Sequence, residues 1–211
     1  MKDFFKKPAV RGIVYLSLLA IGMNLVRLLL AENDAYVWLN WNLFLALVPV
    51  LFAYTTMVSK YRIVVIIMAL MWIGFLPNAP YLITDFIHLA DVGPRTLLWY
   101  DAMMMFVYSL AGILAYMVSL RIIMQRFRWR LYMPLVIGIL AGFGIYLGRY
   151  IRFNSWHVLT QPLDILQVIG EIIMYPSQHA PVLTMTLSFA VFLTVIYFIS
   201  SLYILHEKTI D

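Results

Sequence analysis

The stretch that decides the fold is IVVIIMALMWIGFLPNAPYLITD, residues 63–85. Its opening run, residues 63–76, carries no polar side chain, yet as a helix it rises only about 21 Å, less than the roughly 30 Å of membrane hydrocarbon. Pro77 and Pro80 follow, and because each removes a backbone donor and clashes with the preceding turn, the helix is predicted to break there. Broken helices persist at membrane depth where freed backbone groups line a cavity or are buried in protein. We therefore interpret this stretch as a broken third span; the alternative is that Pro77 ends the span at the interface.

The composition around this stretch is that of an integral membrane protein. Of 211 residues, 64% are hydrophobic and 12% are charged, whereas a soluble domain carries about a quarter charged residues. The net charge of +5 comes from short basic clusters between apolar runs, which is typical of loops facing anionic lipid rather than nucleic acid. The absence of cysteine excludes disulfides, thiolate metal sites and a thiol nucleophile.

The hydrophobic runs predict an all-α, polytopic helical bundle forming one domain over residues 1–211. Each run approaches or exceeds the roughly 20 residues that a spanning helix needs. The first run has no small-x-small cleavage site after it, so we expect a retained span and not a signal peptide. The six predicted spans are 12–31, 38–59, 62–83, 97–120, 131–150 and 181–205.

The distribution of Lys and Arg predicts the orientation. With the N-terminus inside, eleven of the 15 basic residues fall in cytoplasmic segments, three fall outside, and Arg27 lies within a span. Such a bias is the signature of the positive-inside rule. We therefore expect a multi-pass protein of the bacterial cytoplasmic membrane with both termini in the cytoplasm.

Residues 151–180 are too polar to span the membrane. Within them, the pattern of residues 160–175 predicts an amphipathic helix. Thr160 and Pro162 suit a helix start, with Thr160 as the cap. Leu163, Leu166, Ile169 and Ile173 recur at helical spacing opposite Asp164, Gln167 and Glu171. We expect this helix to lie on the outer membrane surface or to roof the bundle.

Three titratable residues follow the broken span, namely Asp85, His88 and Asp91. Spaced by three, they would lie along one face of a helix. Two carboxylates and an imidazole could hold a divalent metal or act as acid and base, and Asp101 is a further candidate for that role. The alternatives are a solvated loop and, for Asp85, a helix cap. No sequence signature supports catalysis, and no cofactor is expected.

Arginines near the outer ends of spans are candidates for anion binding. Arg149 and Arg152, three residues apart at the end of span five, would share a helix face and could bind phosphate or carboxylate. Arg27 lies about a turn inside span one, where an arginine is either functional or extends to the headgroups. If the outer pair binds anions, we expect an arginine to turn inward toward Asp85 or Asp101 when no ligand is bound.

Polar residues from five segments are predicted to meet at this same outer depth, and that clustering is the main support for a site. Gly138, Gly142, Gly144 and Gly148 on span five meanwhile predict close helix packing. The residues expected to line a cavity are Asn42, Pro77, Asn78, Pro80, Tyr81, Thr84, Asn154, Trp156 and His157.

These segments also carry a family resemblance. The relevant strings are WNLFLALVP at 41–49, FLPNAPYLITD at 75–85, WYD at 99–101 and GRYIRFNSW at 148–156. Over about residues 38–160 the chain resembles the bacterial membrane family catalogued as domain of unknown function 1361. The resemblance implies a polytopic bacterial protein and no particular reaction, substrate or cofactor.

From the sequence we expect an outward-facing site that binds or transports an anionic lipid or lipid-linked precursor. Membrane lipid is the expected partner, nucleic acid is not, and the oligomeric state is left open. A transporter or carrier is favoured because no nucleophile or metal signature is present. The alternatives are a membrane enzyme that uses Asp85, His88 or Asp101, and a non-catalytic assembly subunit in which the polar residues only pack helices.

Overall fold

The computed structural model describes residues 8–31, 34–90, 95–175, 177 and 180–207. All regular structure in this part of the chain is helical, and six helices are long and apolar enough to cross a membrane. Contacts divide the chain into two compact units, Met1–Arg126 and Phe127–Asp211. The prediction of a helical bundle with six spans is confirmed, whereas the single domain and the cytoplasmic location of the termini stay predictions.

The first unit contains four candidate spans. The helices and turns in order are α1 (Pro8–Ala31), α2 (Trp38–Val58), α3 (Arg62–Phe75), α4 (Asn78–Tyr81), a 3-10 helix (Leu82–Ala90), a 3-10 turn (Arg95–Leu97) and α5 (Leu98–Phe127). On α1 the buried residues are Val10, Ile13, Ser17, Ala20, Asn24 and Arg27. Steps of three and four keep them on one face, so Asn24 and Arg27 are carried into the protein by the same face that buries Ile13.

The third span is interrupted at the prolines, as predicted. Helix α3 ends at Phe75, a turn covers Leu76 and Pro77, and α4 passes into the 3-10 helix. The backbone keeps right-handed helical φ and ψ angles through Pro77. The span therefore continues from Arg62 to Leu89, although its α-helical hydrogen-bond pattern is interrupted.

Polar groups of the chain itself satisfy carbonyls at this break. The Asn78 side chain donates to the Phe75 carbonyl at 2.9 Å, and the Ala79 N–H donates to the Leu76 carbonyl at 3.1 Å. Asn78 thus replaces a donor that the altered ladder no longer supplies, which suits an apolar surrounding where an unsatisfied carbonyl is costly. Of the carbonyls freed by the two prolines, that of Leu76 therefore accepts a hydrogen bond within the protein.

Helix α5 packs closely against the broken span. A Cβ added at Gly112 would overlap the Ala79 carbonyl oxygen and would lie 3.0 Å from Leu82 Cδ1. One turn earlier, the Ser109 hydroxyl lies 3.0 Å from the Leu82 carbonyl oxygen and 2.9 Å from that of Met105. A small residue and a hydroxyl on α5 therefore fix the position of the segment that carries Asp85.

The second unit contains α6 (Met133–Tyr146), a π-helical turn (Leu147–Ile151), α7 (His157–Thr160), α8 (Pro162–Met174) and α9 (Ala180–Glu207). A Cβ at Gly142 would lie 2.6 Å from the Thr186 carbonyl oxygen, and one at Gly138 would lie 3.0 Å from that of Ala190. The spacing of these glycines thus lets the α6 and α9 backbones approach closely, as predicted.

The amphipathic helix α8 begins later than predicted. Pro162 occupies the first turn as expected, but the flanking residue is Gln161, and no side chain caps the helix. The prediction that Thr160 is the cap was wrong, because Thr160 belongs to α7 and its hydroxyl donates back to the Trp156 carbonyl at 3.2 Å.

Candidate functional site

A buried ion pair joins α1 and α5 at one end of the first unit. Arg27 Nε donates to Asp101 Oδ1 at 2.6 Å, and each side chain is only 2% exposed. The guanidinium carbon also lies 5.3 Å from the centre of the Tyr36 ring, within the range of a cation–π contact. Arg27 therefore does not extend to the headgroups, because its charge is balanced inside the protein.

Tyr36, whose ring lies against the Arg27 guanidinium, also takes part in a group of hydrogen bonds beside the ion pair. The Asn24 amide donates to the Tyr36 carbonyl at 2.8 Å and to the Tyr108 hydroxyl at 3.2 Å. That hydroxyl in turn donates to Asn40 Oδ1 at 2.6 Å. Each hydroxyl or amide donates to the next group, from Asn24 on α1 to Tyr108 on α5 and then to Asn40 on α2. These hydrogen bonds connect the three helices. We call this group the polar cluster; its members are Asn24, Arg27, Tyr36, Asn40, Asp101 and Tyr108.

Asp85 is buried beside this level on the 3-10 helix. Its side chain is fully buried, and Asn42 Nδ2 donates to Asp85 Oδ2 at 3.1 Å. Thr84, also buried, donates its hydroxyl back to the Tyr81 carbonyl at 2.7 Å. A carboxylate at this depth is costly unless hydrogen bonds or charges stabilise it, and Asn42 supplies one such bond. The structure thus buries Asp85 on the segment that follows the break and bonds it to α2 through Asn42.

His88 lies one turn after Asp85. In a 3-10 helix, residues three apart eclipse one another, so Asp85 and His88 leave the same side of this helix. The Tyr36 hydroxyl donates to the His88 carbonyl at 3.3 Å, and the Trp38 ring meets the imidazole edge-on at 5.4 Å. Asp91, the third predicted ligand, lies outside the described residues; among the described ones, no group of three His, Cys, Asp or Glu side chains could hold a metal.

The remaining predicted residues are in the second unit, around the end of α6. Arg149 is half-buried in the π-helical turn, but Arg152 follows that turn, is exposed, and has a left-handed backbone with φ of 64°. The expectation that both arginines share a helix face was therefore wrong, because the helix ends between them. The inward pairing of these arginines with an acid stays a prediction, and Asp101 already has Arg27 as a partner.

The loop after Arg152 orders His157. The Asn154 backbone N–H donates to His157 Nδ1 at 3.2 Å, so the neutral imidazole carries its proton on Nε2. Phe153 and Trp156 meet the imidazole edge-on, at 5.6 and 5.9 Å between ring centres. Of the residues predicted to line a cavity, Asn42, Pro77, Asn78, Pro80, Tyr81 and Thr84 belong to the first unit, and Asn154, Trp156 and His157 to the second.

Sequence reasoning missed Tyr36 and Tyr108 as members of the polar cluster. A signal for Tyr108 was present, since it follows Asp101 by seven residues and two helical turns return a side chain to the same face. Tyr36 had no such signal, because it lies in the connection between α1 and α2, where helical spacing predicts nothing.

A family model supports the resemblance noted above. It matches residues 41–199, from α2 into α9, and is described as a protein of unknown function (DUF1361). The matched range contains Asp85 and Asp101 but begins after Arg27. No curated protein and no solved structure matches the sequence. Because the match covers most of the chain, this protein belongs to the DUF1361 family.

Proposed function

We propose that this membrane protein binds the phosphate-bearing headgroup of an anionic amphiphile at the polar cluster, with Arg27 as the residue that holds the anion. The observation that carries the proposal is the buried Arg27–Asp101 pair within two spanning helices. Ionisable residues inside membrane spans are rare and generally mark a ligand or ion pathway.

The pair is suited to exchanging one anion for another. A buried guanidinium requires a nearby negative charge, and Asp101 supplies it when no ligand is present. A guanidinium has five donors arranged to match a carboxylate or a phosphate. A phosphate could therefore bind Arg27 together with Asp101, or take the place of the Asp101 carboxylate. The tyrosine ring above the guanidinium would help retain the cation during the exchange.

Aromatic residues at the same helix ends support a ligand in the headgroup layer. Trp38 and Trp41 at the start of α2 are 36% and 56% exposed, and Trp99 at the start of α5 is 70% exposed. Exposed tryptophans concentrate at the boundary between lipid and water. An amphiphile could therefore keep its chains in lipid while its headgroup reaches Arg27. With the predicted orientation, this boundary belongs to the outer leaflet.

The broken third span favours a carrier over a purely structural protein. Discontinuous helices form the substrate sites of many transporters because unwound backbone can be accommodated around a cavity. Here the break leads through the short α4 into the 3-10 helix that carries Asp85. A membrane enzyme is the second candidate, supported by the buried Asp85 and by His88 on the same side of that helix.

The test uses a double variant that removes both charges together. Changing one partner alone would leave an uncompensated buried charge and destabilise the protein by roughly 3–5 kcal/mol, whereas apolar replacement of a whole buried pair is often tolerated. Arg27→Met with Asp101→Leu should therefore fold. Arg11→Met is the matched control, because Arg11 is an exposed arginine on the same helix.

Melting temperatures are measured in phosphatidylcholine nanodiscs with and without added phosphatidylglycerol, phosphatidic acid or a polyprenyl phosphate. Saturation at one hundred times the dissociation constant stabilises the native state by about 2.7 kcal/mol. We expect wild type and Arg11→Met to melt at a higher temperature with one of these lipids, and the double variant not to respond. An equal response in the double variant, or no response of wild type to any of the three lipids, would reduce the polar cluster to a helix-packing network.

A further inference from the structure

Helix α8 presents three chemically different sectors around its axis. At about 100° per residue, its half-buried side chains, Ile165, Val168, Ile169 and Ile172, fall on one side. Leu163, Leu166 and Met174 fall on a second side and are 76%, 63% and 71% exposed. The third sector carries Asp164, Gln167 and Glu171, and Gln167 donates to Glu171 at 3.0 Å. Two neighbouring sectors are therefore apolar, and only one of them is covered by the chain.

The exposed apolar sector distinguishes between the two arrangements expected from the sequence. A helix that roofs the protein would cover both of its apolar sectors. Leu163 and Leu166 are exposed instead, while the sector around Val168 is half-buried. Ile169 is half-buried, and the side chain of Ile173 lies outside the described residues.

The position of α8 in the chain supplies the environment for this exposed sector. The candidate span before it ends at Ile151 and the one after it begins at Ala180. Both its ends are thus tethered to spanning helices at the same membrane face, and its 13 residues extend about 20 Å. A helix held there with an open apolar side lies where lipid headgroups meet acyl chains.

We propose that α8 is an interfacial helix that inserts Leu163, Leu166 and Met174 into the lipid while Asp164, Gln167 and Glu171 face water. The partner is the bilayer surface itself. Both charged residues of α8 are acidic, and residues 153–180 contain no Lys or Arg. Apolar burial must therefore drive the insertion, and anionic lipid should not strengthen it.

Single cysteines carrying a nitroxide test this arrangement, and the absence of native cysteine leaves no background label. Full-length protein in phosphatidylcholine nanodiscs is labelled at 163 and 166 in the lipid-facing sector, at 164 and 167 in the water-facing sector, and at 168 in the protein-facing sector. Collision rates are measured with oxygen, which concentrates in lipid, and with a water-soluble nickel chelate.

We expect the labels at 163 and 166 to collide mainly with oxygen, those at 164 and 167 mainly with nickel, and the label at 168 with neither. Added phosphatidylglycerol should leave this pattern unchanged. Shielding from both reagents at 163 and 166 would overturn the proposal in favour of a protein cover, and nickel access there would place the helix in water. None of these outcomes depends on whether Arg27 binds a headgroup.

Discussion

Gly112→Ala tests the contact that holds the broken third span against α5. The added methyl would overlap the Ala79 carbonyl oxygen and press on Leu82, so the two backbones must separate by roughly 1 Å to restore an ordinary C···O contact. Ala79 belongs to α4 and its backbone cannot turn aside as a flexible side chain could. The displacement would also stretch the bond from Ser109 to the Leu82 carbonyl.

The expected magnitude combines three effects. Overpacking costs about 2 kcal/mol, loss of a hydrogen bond costs about 1 kcal/mol, and replacing a helical glycine with alanine returns about 1 kcal/mol. The net loss of about 2 kcal/mol corresponds to a melting temperature lower by about 4–8 °C for a chain of this length. Because the strain falls on the segment leading to Asp85, any headgroup response should weaken as well.

Gly22→Ala is the matched control, since a Cβ at this helical position would meet no atom within 4 Å. It should leave the melting temperature unchanged or raise it by up to about 4 °C. Both variants are followed by thermal unfolding in the same detergent, with tryptophan fluorescence as the probe. If Gly112→Ala melts together with Gly22→Ala, the close approach of α4 to α5 is not a feature of the folded protein.

Two further predictions concern the polar cluster and the orientation. Tyr108→Phe should destabilise the protein by about 1–3 kcal/mol, because it removes a hydroxyl bonded to the buried Asn24 and the half-buried Asn40. Tyr116→Phe, which loses a buried hydroxyl with no hydrogen-bond partner among the described residues, should cost nothing, and equal losses would contradict the network. A cysteine at Asp34 should react with an impermeant thiol reagent in intact cells, and one at Arg128 should react only after lysis; the reverse pattern would invert the predicted orientation.

The sequence by itself determined the membrane class, the six spans and the break in the third. These features are local in origin. Apolar runs of about 20 residues must cross hydrocarbon because a water-exposed alternative would be far more costly. Pro77 and Pro80 lack backbone donors whatever surrounds them, so the interruption after Phe75 follows from covalent structure. The glycines on α6 likewise predict a close helix contact, although they do not identify α9 as the partner.

Only the tertiary structure decided which polar groups meet. Arg27 and Asp101 are 74 residues apart, and no periodicity in either helix specifies that the guanidinium turns inward to that acid. The prediction that Arg149 and Arg152 share a helix face was wrong, because the helix ends before Arg152. Burial in a membrane protein forces charges to find partners, but the choice among several acids at one depth depends on helix packing. That packing is fixed by non-local contacts, such as the one at Gly112, which spacing along the chain does not reveal.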